Sequence, residues 1–239
     1  MADSHLAQRP FDGLESRTTF CLWTGDESMS ANRIQALWSI FSNTGCPVAF
    51  ITSETVGEWV RPEHPLHAAY SKLSSTHKAD YLRCYLMHYY GGGYTDVKIT
   101  TQRWRGFFEC LADSDKLALG YQELAHGIPH IEGPRGDLLR AAHKELIGLC
   151  AFIFRRQTDL TYEWLVRTEM LLDEKLDLLQ RWPARHPLDQ TGVTLPDGTT
   201  SEYPLRWAEL LGEIFHPLVY KFRSRLILAP IEPHFGAYR

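Results

Sequence analysis

The chain has 239 residues, of which 44% are hydrophobic and 23% charged, and a formal net charge of -4 at pH 7. These are ordinary values for a globular protein, so they exclude a disordered or fibrous chain, and the length suits one α/β domain with a large core. The negative charge and the absence of a lysine or arginine block argue against nucleic acid or an anionic membrane as the main partner.

The N-terminal segment is polar and lacks the apolar core of a secretory signal. No later stretch approaches the roughly 18 apolar residues that a membrane span needs. We therefore predict a polar leader over residues 1–18, one domain over residues 19–239, no membrane span and a cytoplasmic location. The five cysteines are widely spaced without a CxxC pair, which predicts reduced thiols rather than disulfides or a zinc site.

The first part of the chain alternates between strand and helix patterns. Residues 18–23 are short, apolar and aromatic and precede a turn signal, so they predict a buried strand. Apolar residues at helical spacing between 34 and 41 predict a helix, and residues 47–52 predict a second strand. A short helical piece over 53–60 and a proline- and serine-rich connection over 61–75 follow.

A second helix is predicted after this connection. Thr76 is its predicted N-cap, and the apolar residues between 82 and 89 line one face. Three glycines, 91–93, are predicted to end it because glycine accepts the left-handed backbone conformation at a helix C-terminus. They would also let the backbone approach a ligand closely. Residues 94–100 read as a strand that follows directly.

The same alternation continues downstream. The further predictions are a helix over 104–111, a strand over 116–121, a helix over 137–146, a buried strand over 150–155, a long amphipathic helix over 160–182, a turn-rich functional loop over 184–204, a helix over 206–215 and a strand over 216–222. Alternating strands and helices predict an α/β fold with a mainly parallel central sheet flanked by helices. Ligands bind such sheets beyond the carboxyl ends of the strands.

Two neighbouring segments carry candidate chemistry. Asp80 and Arg83 are three residues apart on the second helix, so both project from one face. A carboxylate beside a guanidinium can grip sugar hydroxyls, but the same spacing is also that of an ordinary surface ion pair. Asp96 follows the glycines, where it can hold Mg²⁺ or Mn²⁺ or can be a polar residue in a turn.

The joint pattern is KADYLR, then a helix, then GGGYTD, with sixteen residues from Asp80 to Asp96. It resembles the nucleotide-sugar-dependent glycosyltransferases of the GT-A fold that use a DXD sugar-binding motif, the group that includes capsular polysaccharide synthesis enzymes. It is also similar to the N-terminal glycosyltransferase domain of some multi-domain algal-virus proteins. The resemblance covers residues 18–105 and implies a single Rossmann-like GT-A domain.

The resemblance also implies roles for individual residues. Asp80 and Arg83 would contact the donor sugar, and Tyr94 would flank it. Asp96 would be the first DXD carboxylate and would bind Mn²⁺ or Mg²⁺ on the diphosphate of the donor. At the end of the first strand, Trp23 and Thr24 would touch the nucleotide.

Lys98 departs from this pattern, since a second carboxylate is expected there. An ammonium cannot ligate a cation and repels one. Either the side chain points away from a metal, or it meets a phosphate directly. The two alternatives differ in whether the site uses a metal.

The C-terminal third offers three further candidates. Many GT-A enzymes bring a C-terminal histidine to the metal and a lysine shortly after it to the diphosphate, and HPLVYK supplies His216 and Lys221 in that order. The alternative for His216 is a turn residue before a proline. If the mechanism inverts the anomeric configuration, Asp189 is the candidate general base.

The sequence therefore predicts a hexosyltransferase-type enzyme. It would move a sugar from a UDP-sugar donor to a hydroxyl of a glycan or oligosaccharide acceptor, with retention and with metal assistance. The alternative is a nucleotide-sugar-binding module without turnover, because Lys98 replaces the second DXD carboxylate.

Overall fold

The computed structural model describes residues 17–236. Most of the predicted leader, residues 1–16, lies outside this range. The strands are β1 (Thr19–Trp23), β2 (Val48–Thr52), β3 (Gly92–Thr95), β4 (Ala118–Gln122), β5 (Ile147–Phe154) and β6 (Leu226–Leu228). The helices are α1 (Ala31–Asn43), α2 (Ser75–Tyr89), α3 (Arg105–Ala112), α4 (Pro134–Ala141), α5 (Asp159–Arg181) and α6 (Gly212–Lys221).

The six strands form one sheet in the order β2-β1-β3-β5-β4-β6. The pairings of β1 with β2, β1 with β3 and β4 with β6 are parallel, while β5 runs antiparallel to both β3 and β4. Within the described residues, three of the five pairings are thus parallel. The predicted α/β fold with a mainly parallel sheet flanked by helices is confirmed.

Strand order reverses between β1 and β3. The chain leaves β1 for β2 on one side and then returns through α2 to β3 on the other side of β1, with Thr19 opposite Gly93. The carboxyl ends of β1 and β3 therefore lie side by side with their connections diverging. In open α/β sheets this topological switch point forms a crevice in which ligands bind.

The helices cover both faces of the sheet. Phe152 on β5 packs against Trp164 of α5 and Phe215 of α6, whose ring centroids lie 4.7 Å apart, on the face that α2 also covers. Trp104 and Phe108, at the start of α3, pack on the opposite face. Large aromatic side chains bury the most apolar area per residue, so these contacts fix the helices on the sheet.

The glycine run lies at the amino end of β3, whereas Asp96 follows its carboxyl end. Gly91 and Gly92 have φ of +65° and +90°, and β3 begins at Gly92, so two of the glycines belong to the strand itself. At about 3.3 Å per residue, Gly92 is about 13 Å from Asp96 along the strand. The glycines turn the chain from α2 into β3 and do not lie beside Asp96.

Helix α1 forms as predicted, but most of its predicted apolar stripe is exposed. Ala36 and Ile40, one turn apart, are fully buried against the sheet, whereas Ile34, Trp38 and Phe41 are 47%, 67% and 46% exposed. The helical period was readable from the sequence. The sequence did not show which apolar side of the helix packs on the sheet, because the small Ala36 on the buried side permits a closer approach of the helix to the sheet.

Several predicted boundaries needed correction. The N-cap of α2 is Ser74, whose hydroxyl accepts from the backbone N–H of His77, rather than Thr76. The predicted helix over 206–215 and strand over 216–222 are replaced by one helix, α6, because its apolar residues at helical spacing pack on β5 and α5. The short strand β6 was not predicted.

None of the five cysteines is in a disulfide, in agreement with the prediction of free thiols. In the described part of the chain, no helix combines the length and the apolar character that crossing a bilayer requires.

Gly91 provides a test of the corner between α2 and β3. A Cβ at this positive φ would lie 2.8 Å from the backbone N of Arg156. We expect Gly91→Ala to lower the free energy of unfolding by about 1–3 kcal/mol, measured by urea denaturation. Gly57→Ala is the matched control, because nothing lies within 4 Å of its added Cβ. Equal stability of the two variants would contradict the strained turn.

Candidate functional site

Asp96 follows β3 directly and is the centre of a cluster of charged side chains. Its Oδ1 lies 3.0 Å from Arg83 Nη2 and accepts a 2.8 Å hydrogen bond from the Tyr94 hydroxyl, while its Oδ2 lies 2.8 Å from Lys98 Nζ. Both carboxylate oxygens are thus engaged by cations. The backbone N–H of Asp96 donates to the carbonyl of Cys150 on β5, which fixes the residue against the sheet.

Lys98 reaches Asp96 because the chain turns tightly after β3. Its backbone N–H donates to the carbonyl of Asp96 at 2.7 Å, so the two side chains lie on one side. Lys98 Nζ also lies 2.9 Å from Cys150 Sγ and 5.2 Å from the centroid of the Phe235 ring. The ammonium is therefore held in a defined place, with its side chain 9% exposed.

Arg83 enters the cluster from α2. Its guanidinium lies 4.6 Å from the centroid of the Tyr94 ring, and Nη2 is 3.8 Å from Asp80 Oδ1, farther than from Asp96. Nη1 donates to the carbonyl of Leu149 on β5 at 3.4 Å. The alternative of an ordinary surface ion pair between Asp80 and Arg83 does not hold, because both side chains are largely buried and the closer partner of Arg83 is Asp96.

The cluster keeps its central charges ionised. Burial by itself raises the pKa of Asp96, but the charges of Arg83 and Lys98 and the hydrogen bonds from Lys98 and Tyr94 outweigh it and hold this pKa well below its usual value. Burial lowers the pKa of Lys98, and the adjacent Asp96 reverses this and raises it. One carboxylate and two cations thus remain charged over the physiological range.

Asp80 is in a different electrostatic position. It is only 3% exposed, and burial raises its pKa to about 7, with a smaller opposing effect of Arg83 and a smaller reinforcing effect of Asp96. Near neutral pH the carboxyl group therefore exchanges between a hydrogen-bond donor and an acceptor. Such a group beside a fixed guanidinium can adapt to a hydroxyl-rich ligand.

Trp23 and Thr24 lie at the carboxyl end of β1, the strand next to β3. The indole N–H of Trp23 donates to the carbonyl of Glu27 at 2.9 Å, and the Thr24 hydroxyl donates to the carbonyl of Ser75 at 2.6 Å. The second contact joins the end of β1 to the first turn of α2. Both residues therefore border the switch point at which Asp96 lies.

The other predicted site residues have partners elsewhere. Asp189 accepts from the Ser201 hydroxyl at 2.5 Å and from the backbone N–H of Arg185 at 2.8 Å, so both of its oxygens organise their own loop. Lys221, at the end of α6, forms an ion pair with Glu163 of α5. The structure does not bring these two residues into the cluster around Asp96.

His216 is fully buried in α6, and its Nε2 lies 3.0 Å from Glu123 Oε2. Glu123 follows β4, and its backbone N–H donates to the carbonyl of Leu146, just before β5. The segment from Glu123 to Leu146 therefore leaves the sheet and returns to it at one point. Among the described contacts, His216 meets Glu123 and not Asp96.

The donor set around Asp96 does not fit a divalent cation. Mg²⁺ and Mn²⁺ need several oxygen or nitrogen ligands, and here a single carboxylate is already engaged by two cations. Within residues 17–236, no three His, Cys, Asp or Glu side chains lie close enough together to hold a metal. The metal site predicted at Asp96 and His216 stays a prediction with these observations against it.

Four groups at this edge of the sheet were not predicted as site residues. Cys150, the Leu149 carbonyl and Phe235 contact the cluster directly, while Glu123 pairs with His216. Glu123 had a readable signal, because it is an acidic residue two positions after the strand predicted over 116–121. The contacts of β5 and of the C-terminal segment depend on an antiparallel pairing and a chain return that the local sequence does not show.

No protein-family model matches the chain, and no curated protein matches it. Among solved structures, the chain is similar to one titled PaToxG Glycosyltransferase. The TM-score is 0.42 and the sequence identity 8%, over 86% of this chain and 69% of that chain. A likeness at this level assigns neither family nor activity to this chain. A function is therefore inferred from the geometry of the site and from the sequence motif that contains Asp80 and Asp96.

The raised pKa of Asp80 predicts a pH dependence of stability. The folded chain keeps a proton on Asp80 up to about pH 7, whereas the unfolded chain releases it near the ordinary value of 3.8, so wild-type stability falls as pH rises between these values. Asp80→Asn removes this dependence. We expect its free energy of unfolding to gain about 1–3 kcal/mol relative to wild type between pH 5 and pH 8, measured by urea denaturation.

Asp113→Asn is the control, because Asp113 is an exposed residue at the end of α3. Its stability difference from wild type should stay constant across the same range. A difference that is equally flat for Asp80→Asn would show that this carboxyl group ionises normally in the folded protein.

Proposed function

We propose that the protein is a glycosyltransferase of the hexosyltransferase type, which moves a sugar from a UDP-sugar to a hydroxyl of a glycan or oligosaccharide acceptor. The observation that carries the proposal is the charged cluster of Arg83, Asp96 and Lys98 at the switch point between β1 and β3. Open α/β sheets bind nucleotides at this place. Arg83 and Asp96 belong to the KADYLR and GGGYTD segments, whose pattern resembles that of the GT-A enzymes.

The charges suit a diphosphate leaving group. Two cations and one carboxylate give the cluster a net positive charge when Asp80 is protonated, and the cations are fixed by contacts within the protein. During transfer, negative charge develops on the phosphate oxygen that leaves the sugar. Fixed cations lower the energy of that state because they need no reorganisation at the moment of reaction.

The neighbours of the cluster suit the remaining parts of the donor. Asp80 and Arg83 would bind sugar hydroxyls, with one group accepting and the other donating hydrogen bonds. Tyr94, which stacks under Arg83, would support that grip from below. Trp23 and Thr24 would contact the nucleotide at the end of β1, as the motif resemblance implies.

We propose retention of the anomeric configuration. An inverting transferase needs a general base beside the acceptor hydroxyl. The predicted base, Asp189, is 1% exposed and accepts hydrogen bonds on both oxygens from its own loop. This engagement favours the retaining route over inversion by Asp189.

The second candidate function is a nucleotide-sugar-binding module without turnover. It is favoured because the carboxylates of the candidate site already have partners within the protein. Asp96 contacts two cations, and Asp189 accepts a hydrogen bond from its own loop. Calorimetric titration with UDP and UDP-glucose, together with an assay for released UDP over several UDP-sugars and oligosaccharide acceptors, separates the two. Binding without release under any acceptor supports the module, and absence of binding overturns both.

Arg83 offers a sharper test of the transferase. Arg83→Lys keeps the charge but loses the planar fork that reaches both Asp80 and Asp96. We expect UDP release from a UDP-sugar to fall about 100-fold, with UDP affinity changed only a few-fold, because positioning of the sugar is lost. Arg167→Lys, an exposed ion-pair residue of α5, is the control and should leave the rate unchanged. An equal rate for Arg83→Lys would remove Arg83 from the donor site.

A further inference from the structure

Lys98 places a positive charge against Asp96, the carboxylate that Arg83 also contacts. Its Nζ is 2.8 Å from Asp96 Oδ2, at a distance typical of a charge-assisted hydrogen bond. A divalent cation bound to the same oxygen would lie next to this ammonium, and like charges at such separations repel strongly in a partly buried site. The position is thus built for an ammonium.

The ammonium is also preorganised. Cys150 Sγ lies 2.9 Å from Lys98 Nζ, the backbone turn from Asp96 to Lys98 is closed by a hydrogen bond, and the Phe235 ring lies 5.2 Å away. A free lysine side chain loses rotamer entropy when it is held in one place. Here the protein has met that cost before any ligand arrives.

We propose that the ammonium of Lys98, held by Asp96, supplies to the donor diphosphate the positive charge that a divalent cation would otherwise supply, so that nucleotide binding requires no metal. This inference rests on the proposed function, because it concerns the diphosphate of the same donor. Arg83 on the other oxygen of Asp96 adds a second fixed charge. Arg83 and Lys98, both held by Asp96, therefore provide fixed positive charge for the diphosphate.

The charge count supports this assignment. With Asp80 protonated, Arg83 and Lys98 contribute two positive charges and Asp96 one negative charge, which leaves one net positive charge toward a diphosphate. Replacing Lys98 by a carboxylate would invert this balance and would place two carboxylates two residues apart. Paired carboxylates of this kind are the hard oxygen ligands that Mg²⁺ and Mn²⁺ prefer.

The test is calorimetric titration of the full chain with UDP, once in EDTA and once in excess Mn²⁺. For wild type we expect the two dissociation constants to agree within about twofold. For Lys98→Asp we expect binding in EDTA to weaken by about tenfold or more and to recover to within a few-fold of wild type in Mn²⁺. Lys98→Met should lose affinity in both conditions, since it has neither the charge nor a ligand.

Lys116→Asp is the matched control. It makes the same change of charge at the amino end of β4, the opposite edge of the sheet, where Lys116 Nζ donates to the carbonyl of Ser224. It should bind UDP as wild type does in both conditions. Thermal unfolding of each variant distinguishes a loss of binding from a loss of folding. If Lys98→Asp and Lys98→Met both fail to fold, Lys98→Arg is used instead. This variant keeps the charge and should bind UDP without metal.

The outcomes separate the inference from the proposed function. UDP binding by wild type that requires Mn²⁺ overturns the inference and leaves the glycosyltransferase standing. UDP binding that is unchanged in every Lys98 variant also overturns it. No UDP binding in either condition overturns the proposed function, and the inference falls with it.

Discussion

The ion cluster around Asp96 joins three parts of the fold that are distant in sequence. Arg83 comes from the middle of α2, Asp96 and Lys98 from the turn after β3, and the Leu149 carbonyl and Cys150 from the beginning of β5. Removing one member would leave a largely buried charge without its partner, which costs about 3–5 kcal/mol in proteins where it has been measured. The cluster is therefore a structural tie as well as a candidate ligand site.

Much of the fold follows from local pattern. The short apolar run of β1, the helical spacing in α1 and α2 and the long amphipathic α5 were all readable, because each has a period that belongs to one kind of element. The pairing of strands was less accessible. The antiparallel position of β5 between β3 and β4 depends on contacts across about 60 residues of chain, and no local period encodes it.

The site was predictable in its members more than in its connections. Spacing placed Asp80 and Arg83 on one helix face, and the structure shows them there. It could not show that Arg83 prefers Asp96, since that choice depends on how α2 lies across β3. His216 and Lys221 were assigned from the resemblance to GT-A enzymes and from their order along the chain, and the helical form of α6 directs them to Glu123 and Glu163 instead.

The segment that connects β4 and β5 is a place where insertions can be tolerated. Because the backbone N–H of Glu123 donates to the carbonyl of Leu146, the intervening chain is anchored at its base. Ile128 and Leu139 pack into the main core, so its exposed stretches are the parts that can change in length. Lengthening such a loop costs little, about 0.6 kcal/mol for each doubling. Its base lies at the same edge as Asp96. New surface could therefore be added there, in evolution or by design, without changing the strands that hold the charges.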